Sequence, residues 1–237
     1  MESMHDKKEP HAAASSARLN SLRAAVLGAN DGIVSVSGIV VGVAGASSSK
    51  SIIFTAGIAG LIAGALSMAA GEYVSVSSQR DTERALLNKE RYELKHFPEE
   101  EFNELTGIYQ DKGLSAKTAK LVAEELTKND VFAAHAEAEL KIDPDDLNNP
   151  VTAAIASATA FFTGALIPLL TILLSPERYR VLITFISVLI ALTITGIVSA
   201  HFGGANKVKA TIRVVLGGAI AMAATYGIGH LVGGKGA

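Results

Sequence analysis

Residues 52–76 read IIFTAGIAGLIAGALSMAAGEYVSV, and residues 77–94 follow as SSQRDTERALLNKERYEL. The first stretch carries one charge, Glu72, near its end, and is long enough to cross a bilayer core of about 30 Å. The second is rich in Glu, Arg, Leu and Ala, which are strong helix formers. No Gly or Pro stops the chain where the two meet. The reading predicts one helix that begins in lipid and leaves it as a polar rod. That helix makes the chain an all-α polytopic membrane protein.

Four more segments pass the same span test: residues 24–44, 151–174, 181–202 and 211–232. Of the 237 residues, 49% are hydrophobic and 19% charged, and the mean hydropathy is +0.34. The average hides a split, because 17 of the 23 acids fall between Ser77 and Pro150. An ordinary soluble globular protein is excluded. With no cysteine, so are a disulfide framework, a zinc ribbon, an iron–sulfur protein and a cysteine enzyme. A net charge of -2 with no domain-wide basic face excludes a nucleic-acid binder. The chain divides into an N-terminal tail (1–23), two spans (24–76), a polar helical domain (77–150) and three further spans (151–237).

Lys and Arg near the span ends set the orientation. With the N-terminus inside, the inner side receives Lys7, Lys8, Arg18, Arg23, Arg80, Arg84, Lys207, Lys209 and Arg213. The outer side receives Lys50, Arg178, Arg180 and Lys235. Nine against four puts the N-terminus and residues 77–150 in the cytosol and the C-terminus outside. No signal or transit peptide is recognisable in residues 1–23, and the expected location is a prokaryotic plasma membrane. Gly38-x-x-x-Gly42 and Gly60-x-x-x-Gly64 let helix backbones approach closely in lipid, as does, more weakly, Gly229-x-x-x-Gly233. Tight packing within one bundle and a subunit interface fit these patterns equally well.

The polar domain reads as helices throughout. Pro98 followed by Glu99, Glu100 and Glu101 is a helix start, and Gly113 is its stop. Ser115 caps a helix that runs to about Lys128, and Asp130 caps a last one that ends near Lys141. Against 17 acids stand 10 bases, a formal charge near −7. Glu90 and Glu93 share a helix face, as do Glu101 and Glu104, and His135 and Glu139. Carboxylates paired this way repel unless a cation sits between them. Six such ligands on three helices suit Fe²⁺, Mn²⁺ or Zn²⁺; a merely solvated acidic face is the plain alternative. Glu93-Leu-Lys-His96 is also a Glu-x-x-His, the ligand unit of di-iron bundles, which use two copies. The only other copy is Glu2 with His5 in the tail. A membrane-anchored di-iron oxidase is therefore one alternative function, and a passive cation channel another.

Two acids lie within the spans. A carboxylate at mid-membrane costs about 2.5–3.5 kcal/mol, which makes Asp31 a functional candidate. The competing reading has Asp31 capping or breaking a helix near the interface, between Gly28 and Gly32. Glu72 and Met68 are i,i+4 and share a face. Two carboxylates and a thioether suit Fe²⁺ or Mn²⁺ over Mg²⁺ and Ca²⁺, and carboxylates in a low dielectric readily take up protons. Pro168 is expected to kink the third span.

Three segments carry a resemblance: Leu22-Arg-Ala-Ala-Val-Leu-Gly-Ala-Asn-Asp-Gly-Ile-Val-Ser35, Ser67-Met-Ala-Ala-Gly-Glu-Tyr-Val-Ser75 and Asn149-Pro-Val-Thr-Ala-Ala-Ile-Ala-Ser-Ala158. With these the chain, over about residues 18–233, closely resembles the vacuolar iron transporter family. The resemblance implies a homodimer of five-span subunits, each with a cytosolic helical metal-binding domain between the second and third spans. It implies export of Fe²⁺, often Mn²⁺ too, from the cytosol in exchange for protons, with no prosthetic group. It places Asp31, Met68 and Glu72 on the translocation path. Glu90, Glu93, Glu101, Glu104 and Glu139 then fall in the metal-binding domain, Glu99 and Glu100 being adjacent candidates for the third position. Where plant members of the family carry two adjacent methionines, this chain has His135 and Ala136.

Overall fold

The computed structural model describes residues 16–233. The tail through residue 15, which holds Lys7, Lys8 and the Glu2–His5 pair, and Lys235 lie outside the described residues. Seven helices follow in order: α1 (Ser16–Ala46), α2 (Lys50–His96), α3 (Pro98–Asp111), α4 (Ala116–His135), α5 (Pro150–Leu174), α6 (Arg180–Phe202) and α7 (Lys207–Gly233). A π turn, Ala136–Leu140, prolongs α4, and a 3₁₀ turn, Glu177–Tyr179, leads into α6. No strand occurs among the described residues. Helices α1, α2, α5, α6 and α7 are each long and apolar enough to cross a membrane.

Helix α2 is a single element of 47 residues, about 70 Å long at 1.5 Å per residue. It starts where the Ser49 hydroxyl accepts the Ile52 N–H. It stops at His96 because Phe97 precedes a proline, and that position disfavours the helical conformation. Pro150 opens α5 at a position where its missing N–H costs nothing. The helix continues through the buried Pro168. Asn206 caps α7 by accepting the Lys209 N–H at 3.0 Å.

The chain forms two compact units. One combines residues 16–18 with Ser75–Asn149; the other combines Leu19–Val74 with residues 150–233. In the apolar unit, Val36, Val40, Leu61, Phe161, Leu169 and Met222 belong to one buried cluster. Its glycines show which helices touch. A Cβ on Gly28 or Gly32 would strike the carbonyl oxygens of Ser157 and Phe161, and one on Gly164 that of Ala29, so the backbones of α1 and α5 are in contact. Gly42 and Gly45 face Thr225 and Tyr226 of α7, while Gly229 and Gly233 close on Gly42 and Ala46. Gly57 accommodates Leu169 and Val40, Gly60 accommodates Ile39, and Gly64 the ring of Phe161. The three glycine patterns are thus used inside one chain. Arg180, at the start of α6, is buried. Its Nη1 donates to the Ser48 carbonyl at 3.0 Å, and its Nη2 pairs with Glu177 at 3.3 Å.

The polar unit has its own small core of Leu105, Ala123, Ala134 and Ala138, flanked by Phe102, Ile108, Tyr109 and Leu126. Local chemistry sets its helix ends. Gly113 adopts φ 98°, so that its own N–H reaches the Gln110 carbonyl and the Leu114 N–H that of Tyr109. The Ser115 hydroxyl accepts the Thr118 N–H. Asp130 is non-helical, and its carboxylate accepts the Ala133 N–H at 2.9 Å, so a fresh helical segment begins there as its position predicts.

Candidate metal centre

Helix α2 brings Glu90 and Glu93 into the polar unit, α3 brings Glu101 and Glu104, and the segment after the Asp130 break brings His135 and, through the π turn, Glu139. Alternating alanines make the last approach possible. Ala134, Ala136 and Ala138 are all buried, so little bulk separates this segment from its neighbours. The left-handed Lys141, at φ 56°, then turns the chain away, and the Ile142 N–H closes on the Ala136 carbonyl at 2.9 Å.

Four of the six residues converge. Glu90, Glu101, His135 and Glu139 each offer a ligand atom, and these atoms lie within 4.8 Å of one another. The Nδ1 of His135 is 3.0 Å from Glu90 Oε1, 3.6 Å from Glu101 Oε2 and 3.8 Å from Glu139 Oε2. His135 is fully buried and Glu90 is 2% exposed. Both ring nitrogens, Glu90 Oε1 and Glu139 Oε2 are buried without a hydrogen bond of ordinary geometry. Buried polar atoms are rarely left this way. Three carboxylates crowd one imidazole here, and the donors among them are the ring N–H and whatever proton the carboxyls hold.

The electrostatics agree. Burial, and then the neighbouring carboxylates of Glu139 and Glu101, push Glu90 up to about 7. Burial raises Glu101 as well, with Glu104 and Glu93 adding to the shift. Burial lowers His135 despite the pull of Glu139, so the ring favours its neutral, ligand-competent form. Three oxygens and one nitrogen around a buried point suit a divalent ion between hard and borderline.

The other two predicted ligands stand at the edge. Glu93 is paired with Lys89 at 2.8 Å, and Glu104 is exposed. Of the three adjacent acids that open α3, only Glu101 is buried. The Glu93-x-x-His96 motif contributes no histidine to the cluster. His96 is exposed, its Nδ1 is 2.7 Å from the Tyr92 carbonyl, and its ring stacks on Tyr92.

In the apolar unit, Asp31 lies in the middle of the unbroken α1 and is exposed on it. It neither caps nor breaks the helix. Met68 is half-buried against the apolar cluster, and Glu72 Oε1 lies 3.9 Å from Arg23 Nη2. Arg23 beside Glu72, with Gly60 on Ile39 and Gly57 on Val40, makes α1 and α2 antiparallel. That register sets Asp31 level with the turn of α2 ending at Met68. Two polar pairs here were not expected: Arg23–Glu72, and Thr195 Oγ1 donating to Asn30 Oδ1 at 2.6 Å. Arg23 had a part only in the orientation count, and nothing local links Asn30 to a residue five helices later.

Comparison with known proteins decides the family. A model of the VIT family matches residues 22–230. The chain belongs to the VIT family. It is 48% identical over 212 residues to a vacuolar iron transporter of Acanthamoeba castellanii, covering 89% of this chain and 78% of that protein. A vacuolar iron transporter homolog 2.1 of Arabidopsis thaliana is 36% identical, covering 91% of this chain and 83% of its own. A vacuolar iron transporter homolog 1 of Oryza sativa is 35% identical, covering 92% and 76%. These members of the VIT family are named as transporters, not enzymes.

Proposed function

We propose that the chain carries Fe²⁺, and Mn²⁺ as a second cargo, out of the cytosol in exchange for protons, and that residues 77–150 collect the metal there. The observation that carries this reading is the buried cluster of Glu90, Glu101, His135 and Glu139, with polar atoms that only a cation or protons would satisfy. Glu93 and Glu104 form its entrance, adding negative charge that draws cations in. Asp31, Met68 and Glu72 form the path through the membrane. A carboxylate on an apolar helix can ligate the ion or carry the returning proton. The names of the relatives support iron as cargo. The topology is the one the basic residues favour, in a prokaryotic plasma membrane, and the working unit is a homodimer.

The test is metal uptake into proteoliposomes with and without an imposed pH gradient, with Fe²⁺, Mn²⁺, Zn²⁺ and Mg²⁺ side by side. Uptake of Fe²⁺ and Mn²⁺ but not Mg²⁺, accelerated by an opposing proton gradient, is the expected result. Flux indifferent to the gradient would make the protein a passive channel.

A further inference from the structure

The polar unit has a second cluster, of the opposite sign. At 100° per residue, Arg80, Arg84 and Arg91 fall within about 40° of one another on α2. They line a cleft of about 440 Å³, together with the buried Leu87 and, from the segment after the π turn, Pro144 and Asp145. Three guanidinium groups thus stand against one carboxylate, in a domain whose formal charge is near −7. Among the described residues no ion pair joins Arg80, Arg84 or Arg91 to an acid. Arg80 Nε is buried without a hydrogen bond. Arg91 is held in place by contacts that leave its charge intact. Its guanidinium lies 4.2 Å from the centroid of the Phe132 ring, and its Nη1 donates to Asn88 Oδ1 at 3.3 Å.

Basic residues just beyond a span are ordinary by themselves. These differ in sharing one walled cleft and in having donors left over. A guanidinium fork matches the oxygens of a phosphate two at a time. We propose that the Arg80–Arg84–Arg91 cleft binds a phosphate-bearing anion. Arg80 and Arg84, one turn apart, grip one phosphate, and Arg91, two turns further on, reaches a second anionic group. Arg80 stands one turn, about 6 Å, past Val76, at headgroup depth. The phosphate can therefore come from an anionic lipid or from a soluble polyphosphate. None of the three arginines is among the proposed metal ligands.

The test uses the full-length protein treated with EDTA, so that chelation of metal by the probe plays no part. Melting temperature is followed in detergent against sodium tripolyphosphate, and in phosphatidylcholine nanodiscs with and without phosphatidylglycerol. Stabilisation by at least one probe, weakening as salt rises, is expected. Tripolyphosphate alone acting identifies a soluble ligand, and phosphatidylglycerol acting identifies a headgroup. The Arg80→Gln/Arg84→Gln double variant should lose the effect. Arg84→Gln, at an exposed site with no partner to lose, should keep the fold and weaken the affinity roughly tenfold, the size of one charge-assisted hydrogen bond. Asp145→Asn should strengthen it. Stabilisation by neither probe, or equal stabilisation of parent and Arg84→Gln, would overturn the proposal.

Discussion

Glu90 gives the metal-free protein an unusual dependence on pH. Below pH 4.5 its carboxyl is protonated in the folded and the unfolded chain alike. Between 4.5 and about 7 only the folded chain keeps the proton, because burial and Glu139 hold it there. The stability this contributes is fully present at acid pH and is lost as pH rises through the window, by about 3 kcal/mol for this shift. Glu101 acts in the same direction. His135 opposes both, since its lowered folded value makes stability rise with pH up to 6.5. The protection factors of amides in α3 and α4 of the EDTA-treated protein, taken against the intrinsic exchange rate at each pH, should therefore be higher at pH 5.5 than at 7.5. Mn²⁺ should reverse that order, and Glu90→Gln should abolish the protection by metal and shrink the pH effect to the part that Glu101 supplies; metal protection surviving in Glu90→Gln would return the cluster to an ordinary acidic face. On the membrane path, Asp31→Asn keeps the shape, removes the titratable charge and relieves the cost of a carboxylate in lipid. It should insert with at least the parental yield and fail to transport. Met68→Ala should only reduce flux or alter metal preference, because a thioether tunes a site without anchoring it. Normal flux in Asp31→Asn would move the pathway elsewhere.

Helix contacts and helix ends decide what each element tolerates. Gly32 faces the backbone of Phe161, which cannot swing aside as a side chain can. Gly32→Ala should destabilise the protein by about 1–3 kcal/mol through overpacking. Gly71→Ala, in the same kind of helix with nothing within 4 Å of the added Cβ, should be neutral or slightly stabilising. Comparing their melting temperatures in one detergent checks the α1–α5 contact; equal values would refute it. Asp130→Ala removes the cap that starts the segment bearing His135, worth about 1 kcal/mol. It should weaken metal binding without touching a ligand. Such ends were legible in the sequence because cap chemistry is local: Gly113, Ser115 and Asp130 each act within a few residues. The π turn at Ala136–Leu140 was not, since its composition is that of any good α-helix. Nor did spacing show that Glu90 and Glu101 turn inward while Glu93 and Glu104 stay at the rim. For Glu101 and Glu104 that depends on how α3 rotates when Leu105 packs with Ala123 and Ala138.

For the molecule as a whole, the number and length of the apolar helices followed from composition, and the run-on of α2 from an absent breaker. What pairs with what did not. Arg23 with Glu72, Asn30 with Thr195 and Gly42 with Gly229 are joined only by the bundle. Reporter fusions should place residues 77–150 inside and the C-terminus outside, from nine inner bases against four. Both termini on one side would refute the five-span topology. The proton that Glu90 shares with its surroundings near neutrality also has a calorimetric consequence. A cation entering the cluster at pH 7 must expel it, and the solvent buffer must accept it. The heat of loading will then depend on the buffer chosen. Titrations in two buffers of different ionisation enthalpy should give the same affinity but different heats, and their difference counts the protons released per ion bound.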